Sequence, residues 1–379
     1  MRIVIAPDSF KESLTALEVA SAIEKGMQKI LPEASFVKIP MADGGEGTVQ
    51  SLVDATGGKI IPKTVTGPLG EQVEAFFGIS GDEKTAVIEM AAASGLHHVP
   101  VEQRNPLITT TRGTGELISA ALDYGVDHII IGIGGSATND GGAGMARALG
   151  IKLLDENGLE IGEGGGSLGS ISSIDMKHID QRLSSVKIEV ACDVDNPLTG
   201  PTGASAIFGP QKGATPEMVK FLDQSLHHFA RIISKDLEKD IEHVSGAGAA
   251  GGLGGGLLAF LSAELKRGVE IVLDATRLEE QARDADLVIT GEGKIDGQTI
   301  FGKTPIGVAK TAKKHNVPVI AIAGNVASDS HVVHEYGIDA VFSIVPGIIP
   351  LSEAFEKASE YVERVSTNIA SVIKLSSRS

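Results

Sequence analysis

Four aspartates stand just past apolar runs, each with neighbours suited to chemistry on an anion. Asp8 follows Ile3 to Ala6 and precedes Ser9, Lys11 and Ser13. Asp43 opens Asp43-Gly44-Gly45-Glu46-Gly47, after Phe36 to Ile39. Asp193, with Asp195 and Asn196, follows Lys187 to Ala191, and Asp296 comes six residues after Thr290. Such carboxylates hold Mg²⁺ or take the proton of a hydroxyl. Lys11 and Lys303 supply positive charge for an anionic substrate. Each acid also has a plainer use. Asp8 or Ser9 suits a helix cap, Asp43 with Glu46 suits a capping box, and Asp193 to Asn196 suits a turn before Pro197.

The glycine-rich stretch Gly134-Gly135-Ser136-Ala137-Thr138-Asn139-Asp140-Gly141-Gly142 lies between the apolar His128 to Ile131 and the helix-like Met145 to Leu149. A strand, glycine loop and helix in that order offer backbone N–H groups and a helix dipole to a phosphate. Gly134, Gly135, Ser136, Thr138 and Asn139 are therefore candidate nucleotide contacts, and Asp140 could hold a metal ion beside the phosphate. Lys212, in the turn Phe208 to Ala214, either reaches a phosphate or belongs to a plain loop. Arg112 to Glu116 reads equally well as phosphate donors or a helix start. Gly246 to Gly256 holds overlapping G-x-G-x-x-G patterns around Gly248, a weak dinucleotide signal without a preceding strand or a ribose-binding acid. Gly297 to Thr304 matches the P-loop formula letter for letter. Gly291 to Asp296 intervenes between it and the strand, and Pro305 follows, which argues against a true P-loop. Lys303 near a phosphate by another geometry, or Asp296 near a reacting hydroxyl, is the favoured reading. The pairs His97-His98 and His227-His228 share no face, so no zinc site is expected. Cys192 reads as a small core residue.

The elements that must position these groups read as an α/β protein. Short β-branched runs at Ile3 to Ala6, Phe36 to Ile39, Ala86 to Glu89, His128 to Ile131, Lys187 to Ala191, Leu287 to Thr290, Val317 to Ala323 and Ala340 to Ser343 suit buried parallel strands. Helix-like stretches at Leu17 to Leu31, Gly115 to Asp123 and Pro305 to Lys314 separate many of them, which implies parallel sheets with helices on both faces. Ile60 to Gly78 alternates about a Gly67-Pro68-Leu69-Gly70 turn like an antiparallel hairpin. Asn157 to Ser173 reads as a loop. Pro216 to Glu242 reads as a long amphipathic helix whose charge run, Lys235 to Asp240, is solvated surface. Ala247 to Leu261 reads as a buried helix with a glycine-rich entrance. The chain ends resemble each other in style, so a discontinuous domain, 1–65 plus 285–379, is expected around an inserted α/β domain, 66–284.

With 379 residues there is room for two domains, and 42% hydrophobic content suits a globular protein. A formal charge of −16 argues against nucleic acid or an anionic membrane as partner. One cysteine fits a reducing cytoplasm, and no signal peptide or membrane span is read.

Taken together, APDSFK (6–11), MADGGEGT (41–48), GGSATNDGG (134–142), CDVDNPL (192–198), FGPQKGA (208–214) and TGEGKIDGQTIFGKTP (290–305) resemble the bacterial glycerate kinase family that acts on D-glycerate. The resemblance spans the whole chain. It implies a flavodoxin-like (Rossmann-like) domain with a second α/β domain, and ATP-dependent phosphorylation of glycerate in the cleft between them. It favours 2-phosphoglycerate as product, with 3-phosphoglycerate as the alternative. On that reading Asp8, Ser9, Lys11, Asp43 and Lys303 bind substrate. Asp193 or Asp296 takes the hydroxyl proton, and Lys11 assists. Asp43 and Asp193 hold Mg²⁺. Gly134 to Asn139, Lys212 and Gly248 meet the nucleotide. A cytoplasmic monomer or homodimer is expected. A nicotinamide-dependent dehydrogenase using the Gly248 region and a non-catalytic sensor of sugar acids are the competing readings.

Overall fold

Continuous β-branched runs form strands where helices cover both faces of a sheet. The computed structural model describes residues 1–376. Its strands are β1 (Arg2–Pro7), β2 (Ser35–Lys38), β3 (Lys59–Thr66), β4 (Gln72–Ile79), β5 (Thr85–Glu89), β6 (His128–Gly132), β7 (Lys152–Leu154), β8 (Ser173–Asp175), β9 (Lys187–Ala191), β10 (Glu264–Lys266), β11 (Leu287–Ile295), β12 (Val319–Val326) and β13 (Ala340–Ser343). The fold is α/β, and the chain divides into two compact units. One holds Met1–Asp43, Gln50–Gly57 and the chain from Val269 onward, and the other holds Gly44–Val49 and Gly58–Gly268.

The first unit is built on a five-stranded sheet in the order β13-β12-β11-β1-β2. All its pairings are parallel, with Ile3 opposite Leu287 and Pro7 opposite Gly291. From β1 the chain steps outward to β2, and from β11 it steps the other way through β12 to β13. This is the flavodoxin-like order, and its direction reverses between β1 and β11. Helix Ala16–Gln28 starts at a capping box of Thr15 and Glu18. It buries Val19, Ile23 and Met27 in one cluster with Val362 and Ile369 of the last helix. Each such side chain contributes roughly 2 kcal/mol of hydrophobic stabilisation.

The second unit is built on a six-stranded sheet in the order β10-β9-β6-β5-β4-β3. The hairpin expected at Ile60 to Gly78 is β3 and β4, antiparallel, with Val65 opposite Val73. From β5 through β6, β9 and β10 the pairing is parallel. Strands β7 and β8 form a separate antiparallel pair. Helix Pro216–Leu237 is capped by Thr215 and stops where Glu238 turns left-handed at φ 56°, short of the expected Glu242. The charge run beyond it is not all solvated surface. Lys239 is partly buried, and its ammonium donates to the carbonyls of Leu258 and Ala259 and to Ser262 at the end of the next helix. A cation there complements the negative end of the helix dipole. Among the described residues no helix is long and apolar enough to cross a membrane.

Candidate functional site

In the first unit, the carboxyl ends of β1 and β11 meet at the reversal of strand order, where open α/β sheets bind ligands. Asp8 leaves β1 with its amide donating to the Gly291 carbonyl at 2.8 Å. Its carboxylate accepts from the Thr304 hydroxyl at 2.6 Å and from the Ser9 amide at 2.6 Å. Glu292, on β11 and only 9% exposed, accepts from the Thr299 hydroxyl at 2.8 Å. Lys303 Nζ lies 3.5 Å from its other oxygen. Burial pushes Glu292 up to about 7, with Lys303 and Thr299 pulling down and the charge of Asp8 adding to the rise. Burial likewise pushes Asp8 up to about 6, opposed by the Thr304 hydroxyl and reinforced by Asp43. Two acids poised near neutral pH are suited to accepting and returning a proton.

The capping uses foreseen for these acids are filled by other residues. Thr15 and Glu18, not Asp8 or Ser9, cap the first helix. Glu89, at the end of β5, accepts from the amides of Gly47, Thr48 and Val49 at the start of helix Thr48–Thr56, so Asp43 and Glu46 do not form the capping box. Lys11 is exposed on the turn after Ser9, whose Phe10 and Leu14 form a backbone bridge. Asp296 stands apart in character. Its carboxylate pairs with Lys294 at 2.7 Å and accepts the Gln298 amide at 2.9 Å, and the lysine holds it below the usual carboxylate range.

The P-loop look-alike stands closer to its strand than the sequence implies, because β11 runs through Gly291 to Ile295. Its backbone still makes no open cradle at several positions. The amides of Gln298 and Thr299 go to Asp296, and that of Phe301 goes to the Gln298 carbonyl. Lys303 faces Glu292, and Thr304 faces Asp8. Glu292, Thr299 and Thr304 join this cluster although sequence reasoning passed over them. The signal was present, since Glu292 follows Leu287 to Thr290 by two residues.

In the second unit the glycine loop departs from expectation. Only Gly134 and Gly135 are exposed, and Ser136 to Gly142 lie beneath the surface. The helix start at Ala143 already has an anion, the protein's own. Asp140 accepts from the amides of Gly142 and Gly144 and from the amide and hydroxyl of Thr111, each between 2.8 and 3.1 Å. Fully enclosed and so satisfied, Asp140 holds the loop and is not placed to take a metal ion. The buried glycines serve close packing. A Cβ on Gly251 would lie 1.9 Å from the Thr138 carbonyl oxygen, and residues 250–252 turn left-handed within helix Ala249–Leu261 to make that approach. Gly248 is buried, with room for no side chain beside the Pro197 carbonyl. Lys212 is 1% exposed. It donates to Ser136 Oγ and to the Thr138 carbonyl, both at 2.6 Å.

Asp193, exposed past β9, accepts the Gly268 amide at 3.1 Å. Arg267 donates to the Asp193 carbonyl at 3.0 Å and pairs with Asp195 at 3.3 Å. Gly44, at φ +90°, crosses these strand ends, and a Cβ there would lie 2.5 Å from that of Ala191. Cys192 is buried, with its thiol pushed up by burial. Among the described residues no group of three His, Cys, Asp or Glu is arranged to hold a metal ion.

Two acids raised toward neutrality at a sheet's switch point suit proton transfer, as in an α/β enzyme. The model of the glycerate kinase family matches residues 3–374. A glycerate kinase of Bacillus subtilis strain 168 is 65% identical over 99% of this chain and 98% of its own length. A glycerate 2-kinase of Escherichia coli K12 is 60% identical over 100% of this chain and 99% of its own. A solved structure assigned to glycerate kinase 2 of Salmonella typhimurium LT2 superposes with a TM-score of 0.94 at 58% identity, covering 100% of both chains. The chain belongs to the glycerate kinase family and is a kinase.

Proposed function

We propose that this protein transfers the γ-phosphoryl group of ATP to the 2-hydroxyl of D-glycerate, giving ADP and 2-phosphoglycerate. The observation that carries the reading is the Asp8–Thr304 and Glu292–Lys303 arrangement at the switch point, in a chain of this family. The name of the Escherichia coli relative supports the 2-position.

Glycerate is a carboxylate with a hydroxyl on the next carbon. Lys11, Lys303 and Ser9 bind the carboxylate, and Asp8 and Asp43 orient the hydroxyls. Glu292 takes the proton as the hydroxyl oxygen attacks the γ-phosphorus and the bond to ADP breaks. It replaces Asp296, whose carboxylate is committed to Lys294 and Gln298. Asp193 is the alternative acceptor. Phosphoryl transfer asks mainly for positioning and charge neutralisation. The exposed Gly134–Gly135 turn receives the nucleotide's phosphates. Mg²⁺ needs only one or two carboxylates when phosphate and water complete its shell, so either Asp43 or Asp193 suits the ion without a preformed cluster. When bound, it offsets the charge of the triphosphate.

The chain passes from one unit to the other at Asp43–Gly44 and at Gly268–Val269. We place the enzyme in the cytoplasm, where its one cysteine stays reduced. The test is phosphorus NMR of the product from D-glycerate, ATP and MgCl₂. The expected product is 2-phosphoglycerate. 3-Phosphoglycerate would overturn the position, and ADP without a phosphoglycerate would overturn the acceptor.

A further inference from the structure

Lysine is among the residues least often buried without a carboxylate partner. Lys212 is nevertheless wholly enclosed and donates only to neutral oxygens in its two hydrogen bonds, Ser136 Oγ and the Thr138 carbonyl. It sits at the end of the turn Pro210–Lys212, after helix Ala204–Phe208. The same segment grips the loop a second time, since Asn139 Nδ2 donates to Ser205 Oγ at 3.0 Å. Two oxygens of this buried layer, Thr138 Oγ1 and Asn139 Oδ1, have no hydrogen-bond partner. Enclosing an ammonium with only neutral acceptors costs several kcal/mol, offset in part by the nearby Asp140, and an apolar residue of similar length would avoid that cost. Stability does not explain the residue.

Its place explains it. Ser136 directly follows Gly134 and Gly135, the only exposed residues of the loop. A lysine behind that turn fixes the Ser136 side chain and sets a positive charge under backbone that faces solvent.

We infer that Lys212 is a positioning residue for a phosphate group, bracing the Gly134–Gly135 turn from behind and never touching the nucleotide itself. The inference rests on the kinase reading above and deepens it. The ammonium is held down to about 7 by burial, against the pull of Asp140, the loop's enclosed carboxylate. Other ionisable groups stand close by: Arg104 donates to the Gln211 carbonyl at 3.3 Å, and His97 and His98 follow Leu96, whose amide donates to the Gly135 carbonyl at 2.8 Å, with His97 held below its usual range by burial. The brace therefore weakens as pH rises through neutrality.

Calorimetric titration of the full chain with MgADP tests this at pH 6.5 and 8.5. In the wild type, Kd rises severalfold between the two. Lys212→Met raises Kd at least tenfold at pH 6.5 and flattens its dependence on pH, while its melting temperature does not fall. Comparing the two proteins cancels the nucleotide's own titration. Should Lys212→Met misfold, Ser136→Ala removes one acceptor and leaves the lysine, and a Kd rise of at least threefold at pH 6.5 is expected. If the wild type binds MgADP and a folded variant binds equally well with the same pH dependence, the inference is overturned. If the wild type binds no nucleotide, the kinase reading falls and the inference falls with it.

Discussion

At the scale of residues, the account turns on carboxylates whose surroundings make them different acids. Asp296 is ion-paired and held ionised, whereas Glu292 and Asp8 are raised by burial. A group raised from 4.5 to about 7 stabilises the fold fully below 4.5, and that contribution is lost as pH climbs to 7. Glu292→Gln removes the buried charge. Urea denaturation is expected to show the variant gaining up to roughly 3 kcal/mol over wild type at pH 8, and almost nothing at pH 4.5. Equal stability differences at both pH values would contradict the raised pKa. Sequence spacing located Asp8 and Asp43 near each other in role, but it could not rank Glu292 above Asp296. Ionisation depends on what covers a carboxyl group, and here the cover comes from Thr299 and Lys303 folding back over β11.

At the scale of elements, the strands were legible because parallel strands buried on both faces are continuous β-branched runs. The five strands of the first unit and the hairpin β3–β4 lie where the runs and the Gly67 to Gly70 turn put them. The three-residue strands β7, β8 and β10 were not read, being too short to carry a pattern. The glycines were legible as loops but not in purpose. Gly141 and Gly251 look like phosphate loops, but a Cβ on Gly251 would strike the Thr138 backbone and one on Gly141 the Phe229 and Leu226 side chains. Gly44 and Gly47 separate space from strain. Both have φ near +90°, but a Cβ at Gly44 would press on Ala191 and Gly268, whereas one at Gly47 meets nothing within 4 Å. Gly47→Ala should cost about 1 kcal/mol from backbone strain alone. Gly44→Ala should cost roughly 3 kcal/mol, since a packing clash adds to the strain. Thermal unfolding of the two variants checks the difference, and equal losses would remove the packing argument.

At the scale of the molecule, a net charge of −16 faces two anionic substrates. On the proposed reading attraction is local, from Lys11, Lys303, backbone amides and a divalent cation. On the same reading the cation arrives with the nucleotide and does not hold up the fold. EDTA in excess over Mg²⁺ should abolish turnover while circular dichroism and melting temperature stay unchanged. A fall in melting temperature would reveal a structural metal ion instead. The points where the chain passes between units carry no sequence signal, because it crosses within the helix Thr48–Thr56 as well as at Asp43–Gly44.

The claim that most of this depends on is that Asp8, orienting the hydroxyl, and Glu292, taking its proton, act as one unit. A double-mutant cycle on kcat reads it directly, using Asp8→Asn, Glu292→Gln and the double variant with saturating D-glycerate and MgATP. Each single change should lower kcat by roughly 10²- to 10⁴-fold, and the double should lose little more than the worse single, because neither acid serves without the other. Losses that multiply, or a Glu292→Gln enzyme working at the wild-type rate, would contradict it.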